Sequence, residues 1–317
     1  MRTLCEAVHL IRSFHGQSLL NAINIILAVI ATCANTLIIV AITRSKQLRS
    51  HTPTYFILSL AVSDLLVGLV VQPLYSVVLI DWSVKTCQVQ YYKFAIGFFT
   101  CSVSIGNVLC VCLDRMLRIT KPFTYELYVT KKRALALCIL IWCIGAGIGY
   151  MSIQRETELM MAYGAATEML ISLSVCIYCS VEIYKVGQEQ IERISKTNTT
   201  DMKQKILMER KLASSLVAVL ATIIICWIPF AILNIMTFLA NNHNKWIILF
   251  QIRLWTVLFG YSKSSINIFI FALTNRDIKR AIKDVLDFVI KLAKTAPSTK
   301  LNEMSNYGSV SRNEKLK

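Results

Sequence analysis

Seven apolar stretches, each long enough to cross a bilayer, constrain this chain more than anything else in it. They run at about residues 18–42, 53–79, 90–118, 134–153, 162–186, 211–240 and 246–272. A helix needs about 20 apolar residues to span the hydrocarbon core. In lipid the backbone must satisfy its own hydrogen bonds, and runs this long without alternation do so as helices rather than barrel strands. Only 16% of the residues are charged, against about 25% in a soluble domain, and mean hydropathy is +0.56. The sequence therefore predicts an all-α membrane protein, a seven-transmembrane helix bundle.

Charge placement gives the orientation. A formal net charge of +16 could suit a nucleic-acid surface, but the loops 43–51, 117–133 and 185–211 alone hold fifteen Lys and Arg. The N-terminus and the opposite loops hold five: Arg2, Arg12, Lys85, Arg155 and Lys245. That asymmetry puts the three basic loops in the cytoplasm and the N-terminus outside. The excess is topology, with anionic membrane lipid rather than nucleic acid as its counter-surface.

Three divisions are expected: a short extracellular N-terminus (1–17), a seven-helix domain with a cytoplasmic amphipathic helix (18–290), and a disordered cytoplasmic tail (291–317). The amphipathic helix is read from Ile278, Ala281, Ile282, Val285, Leu286 and Val289, which keep the 3.6-residue period while Lys279, Arg280 and Lys283 fall off that face. Most of the 11 cysteines lie inside the apolar runs, where they read as small buried hydrophobes. Cys5 and Cys87 sit on the oxidising side, either as a disulfide or as two free thiols. The four His (His9, His15, His51, His243) lie at ends or loops with no metal spacing. Neither a cofactor nor an enzyme activity is expected. Without internal repeats or helices interrupted at the midplane, the chain does not read as a transporter.

The charges inside the apolar runs are the chemistry-bearing residues. Placing one at the bilayer centre costs roughly 2.5 to 3.5 kcal/mol even on a lenient scale, so each is a functional hypothesis. Asp114 and Arg115 end the third run, Asp64 lies in the second and Lys263 in the seventh.

With these charges placed, the chain resembles the rhodopsin-like (class A) G-protein-coupled receptors. Asp114-Arg115 stands at the inner end of helix three, Ala34-Asn35 in helix one, and Leu60-Ala61-Val62-Ser63-Asp64-Leu65 in helix two. Trp142 lies in helix four, Cys226-Trp227-Ile228-Pro229 in helix six and Asn267-Ile268-Phe269-Ile270-Phe271 in helix seven. Pro122 follows Arg115 by seven residues, and the resemblance covers about residues 18–290. A short second outer loop without cysteine and a fifth helix without proline look like the melanocortin, adenosine and cannabinoid branch.

The resemblance implies a receptor that couples an extracellular small molecule or peptide to a heterotrimeric G protein. Arg115 would be restrained by Asp114 and by Glu209 at the start of helix six, and received after release by Tyr178 of helix five. Trp227 and Pro229 would act as the lever between ligand and helix six. Asn35, Asp64, Ser104, Lys263 and Asn267 would form a polar switch at mid-membrane. In the family the aspartate there binds sodium; here Lys263 stands one turn before Asn267. It is expected either to replace that ion beside Asp64 or to point into a wet cavity.

The ligand pocket would be lined by Tyr75, Lys93, Phe94, Phe98, Cys101, Phe230, Asn234, Arg253, Val257 and Tyr261. Lys93 and Arg253, near its mouth, could meet an anionic group or reach outward to headgroups. Gly97 stands where amine receptors carry an aspartate, which argues against a biogenic amine. Ile268 and Phe271 replace the family's proline and tyrosine. That leaves open a receptor-fold protein with little G-protein signalling, acting as a heteromeric partner.

Overall fold

The computed structural model describes residues 16–80, 84–153, 158–195, 221–222, 225–237, 239–240 and 242–295. Among them there is no strand. The long helices are α1 (Gln17–Arg44), α2 (Pro53–Ile80), α3 (Val84–Thr120), α4 (Lys131–Met151), α5 (Glu158–Ser195), α6 (Ile225–Thr237), α7 (His243–Thr274) and α8 (Arg276–Thr295). By length and apolar composition α1 to α4 and residues Leu170–Glu189 of α5 are each able to cross a membrane. With α6 and α7 they make the seven expected helices. At a rise of about 1.5 Å per residue, the 37-residue α3 is far longer than a bilayer core is thick. α5 runs on to Ser195, past its apolar run.

Local chemistry fixes several ends. Pro53 occupies the first turn of α2, where its missing N–H costs nothing. Thr130 caps α4 by accepting from the Arg133 amide at 3.3 Å. Asn275 breaks the chain between α7 and α8, and its Oδ1 accepts from the amides of Asp277 (3.0 Å) and Ile278 (3.2 Å), as an N-cap should. α2 is not regular: Val67–Val71 form one wide π-helical turn.

The bundle has an apolar layer at each end and a polar one between. Leu20, Val71, Tyr75, Phe250, Leu254 and Tyr261 form the outer cluster. Ile42, Phe56, Leu60, Ile105, Val108, Cys112, Cys176 and Ile278 belong to the inner one. Between them Asn35, Ser63, Asp64, Ser104, Asn107, Lys263, Ser264 and Asn267 are all buried. α4 approaches α3 through glycines. A Cβ at Gly149 would stand 2.8 Å from the Ala95 carbonyl oxygen, and one at Gly145 2.8 Å from a Val103 methyl.

α8 divides its apolar face between two surroundings. Ile278, Ala281 and Val285 are buried against the bundle, whereas Leu286 and Val289 stay exposed on the side an inner leaflet would meet. Arg44 of α1 lies 4.2 Å over the Phe288 ring.

Candidate functional site

Three charged or polar groupings lie along the bundle axis. The middle one is the densest. Lys263 Nζ donates to Asp64 Oδ1 at 3.1 Å and to Ser104 Oγ at 2.6 Å. Ser104 Oγ (3.1 Å) and Ser264 Oγ (2.8 Å) also donate to Asp64 Oδ1, and Asn267 Nδ2 donates to Oδ2 at 2.7 Å. Asn35 ties this layer to α1 by donating to the Ser264 carbonyl at 3.1 Å. Asp64 is wholly buried and Lys263 2% exposed.

Removing two charges from water costs several kcal/mol per ion, and attraction offsets this only when the remaining hydrogen-bonding capacity is filled. Here two hydroxyls and an amide fill the carboxylate. Of the two expectations for Lys263, the geometry is that of an ion pair. The residues do not suit an additional sodium ion. The ammonium already faces the carboxylate, and a second cation would meet a like charge.

The outer grouping is the expected pocket. Its floor is a chain of edge-on aromatic contacts: Tyr75 to Tyr261 (5.8 Å), Tyr261 to Trp227 (6.1 Å) and Trp227 to Phe230 (5.5 Å). Tyr75 donates to the Leu254 carbonyl at 2.7 Å. Phe94 and Phe98 stack at 6.3 Å, Val257 is buried and Cys101 half-buried. Gly260 faces the Trp227 ring, where a Cβ would lie 3.1 to 3.2 Å from three ring atoms. Arg253 Nη1 donates to Asn234 Oδ1 at 3.0 Å and the guanidinium stands over Phe250.

Lys93 departs from its expected place near the mouth. It is 1% exposed, with its ammonium 4.2 Å from the Phe94 ring centre and 4.7 Å from that of Tyr75. The two rings contribute about 2 kcal/mol or more each when desolvated, against a desolvation cost of several kcal/mol. No carboxylate among the described residues pairs with it.

Sequence reasoning missed Glu168. This carboxylate lies on α5 inside the fifth apolar run and accepts from Ser102 of α3 at 2.9 Å. An acid within an apolar run was the available signal.

The inner grouping surrounds Asp114 and Arg115, both buried. The short helix Tyr125–Tyr128 in the second inner loop brings Tyr125 Oη to Asp114 Oδ1, donating at 2.5 Å, while Arg118 Nη2 donates to the same hydroxyl at 3.0 Å. Burial and then the Asp114 carboxylate push the Tyr125 hydroxyl up to about 12, so it stays a donor at neutral pH. Nothing in the loop sequence marked Tyr125.

Tyr178 is a correction. It is expected to receive Arg115 after release, yet it is 59% exposed. The inward stripe of α5 is Ser172, Cys176, Cys179 and Ile183, and Tyr178 falls about 200° around the helix from Cys176. Cys176 instead meets Cys112 of α3, with sulfurs 3.5 Å apart. Glu209 and Cys5 lie outside the described residues, as does the side chain of Cys87. Pro229 is half-buried on α6, two residues beyond Trp227.

Comparison with known proteins agrees with this arrangement. The profile of the 7 transmembrane receptor (rhodopsin family) matches residues 34–163 and 150–271. Relatives include the histamine H2 receptor of Homo sapiens, 28% identical over 312 residues that cover 91% of this chain and 84% of the relative. The octopamine receptor beta-2R of Chilo suppressalis is 27% identical, covering 83% and 78%. The D(1A) dopamine receptor of Didelphis virginiana is 27% identical, covering 80% and 69%. The expected nearness to the melanocortin, adenosine and cannabinoid branch is thus corrected, since these relatives are amine receptors by name. That expectation rested on a missing proline and a missing cysteine, and unrelated chains can lose either.

Proposed function

The chain belongs to the rhodopsin family of seven-transmembrane receptors, and from that premise we propose that it converts binding of an extracellular small molecule into activation of a heterotrimeric G protein. Members of this family are multi-pass plasma-membrane proteins and not enzymes, and so is this one. In the proposed mechanism the ligand shifts a pre-existing equilibrium between two arrangements of the bundle, by as much as its affinities for the two differ.

The aromatic chain from Tyr75 through Tyr261 to Trp227 receives the ligand. Trp227 passes the change along α6 past Pro229, and Asp64, Ser104, Lys263 and Asn267 hold α2, α3 and α7 together in the resting arrangement. Arg115, restrained by Asp114 and Glu209, then becomes available to the G protein. One observation carries this reading: a buried ionic cluster joins three helices directly below an aromatic pocket. Such a cluster can be made or broken as a unit.

The test is a G-protein activation assay on the full-length chain in cells. Glu209→Ala should raise basal activity several-fold over the wild type. A flat response in both would favour the second reading, a receptor-fold partner with little signalling, which Ile268 and Phe271 in place of proline and tyrosine support. For the ligand, the names of the relatives favour a protonated amine, and Glu168 would be its counter-charge. Gly97 and Lys93 weigh against it, because the first offers no carboxylate and the second is a cation.

A further inference from the structure

Lys93 is a buried charge in the outer half that the mechanism above does not use. It is 1% exposed and rests against two aromatic faces. Arg253 of α7, over the Phe250 ring and bonded to Asn234, adds a second cation to the outer half. The Tyr75 hydroxyl is already committed to Leu254.

Two features lie on the inner side of Lys93. Gly97, one turn later, carries no side chain, and a Cβ there would stand in van der Waals contact with Tyr261 Oη (3.6 Å) and Val71 (3.8 Å). Beyond it lies the aromatic chain to Trp227. Glu168 does not neutralise this end. It bonds Ser102, nine residues after Lys93 and therefore on the opposite face of α3.

From this geometry we infer that the pocket takes a small organic acid, its carboxylate or phosphate seated on Lys93 and its apolar or aromatic body directed inward toward Tyr261 and Trp227. A buried ammonium without a carboxylate partner is costly by itself. An oxyanion supplies the missing counter-charge and accepts the ammonium's hydrogen bonds at the same time. Arg253 adds attraction from the side. The apolar walls then bury the rest of the molecule, as small-molecule pockets do. The inference rests on the receptor reading only in placing the ligand in this pocket.

Thermal unfolding of the purified full-length protein tests it without any G protein, so failure here is distinguishable from failure to couple. Lys93→Met should raise the Tm of the ligand-free protein, because it removes a buried charge that no carboxylate among the described residues balances. Lys93→Gln is the parallel variant should the methionine not fold. Three probes that share a benzene ring are compared: 4-hydroxyphenylacetate, phenyl phosphate and tyramine. One or both acids should raise the Tm of the wild type and leave Lys93→Met unmoved, and which acid does so tells a carboxylate from a phosphate. Tyramine should have no effect. The inference is overturned if the Lys93 variants lower the Tm or leave it unchanged, since the rings alone would then suffice. It is equally overturned if the acids shift wild type and variant alike. Stabilisation by tyramine that disappears in Glu168→Gln would also sink it, by assigning the ligand an ammonium instead.

Discussion

At the residue scale the decisive contact is Lys263 with Asp64 at 3.1 Å. Deleting one partner of a buried pair strands the other charge, so Asp64→Asn or Lys263→Met alone should destabilise the receptor by about 3 to 5 kcal/mol. The double variant should recover most of that loss. Tm values of the purified single and double variants decide it, and additive losses would mean that the two side chains act independently. In the same assay Lys263→Asn, but not the wild type, should be more stable in sodium chloride than in potassium chloride. This pair was legible in the sequence because each charge interrupts an apolar run. Glu168 is equally readable, as an acid within the fifth run. Tyr125 was not readable, because a loop has no period to show which side chain turns inward. Tyr178 was misplaced for a related reason: without a proline, nothing in the fifth run fixes its rotation.

At the element scale two close approaches differ in what they protect. Gly149 lets α4 lie against the backbone of α3, where a Cβ would meet the Ala95 oxygen at 2.8 Å. Gly149→Ala should cost about 1 to 3 kcal/mol by forcing the helices apart. Gly260 lets α7 lie against the Trp227 ring, so Gly260→Ala must displace that ring by a few tenths of an ångström. Thermal unfolding paired with the basal G-protein assay separates the two. Gly149→Ala should lower Tm with little change in basal signalling per receptor at the surface. Gly260→Ala should change basal signalling clearly. Equal effects of both variants on signalling would remove Trp227 from the lever role. The helices themselves were plain from run length alone. The wide turn in α2 and the short helix at Tyr125 were not, since both arise from packing between elements.

At the scale of the whole molecule, orientation follows from where the basic residues fall rather than from how many there are. An epitope tag at the N-terminus should be stained on intact cells, and one at the C-terminus only after permeabilisation. Asn198, the asparagine of the Asn198-Thr199-Thr200 sequon in the third basic loop, should remain unglycosylated, while a sequon introduced within residues 1–17 should gain a glycan. A glycan on Asn198 would invert the topology and with it the assignment of pocket and coupling face. The ligand class lies beyond what helix periodicity can specify. It depends on which side of α3 Lys93 and Glu168 occupy, and that emerges only once the helices are packed.

The wide turn at Val67–Val71 bears on how this receptor can change length. A π-helical turn holds one more residue than the α-helical turn it replaces. Below it α2 presents Asp64 to the polar layer, and above it α2 presents Tyr75 to α7. Loss of one residue elsewhere in α2 would rotate everything beyond it by about 100° and carry Tyr75 away from Leu254. Loss of one residue within the turn would instead restore regular helix and leave both ends in place. α2 therefore contains a slack link, the position along this helix where a single codon can be deleted and the pocket and the ion pair keep their alignment.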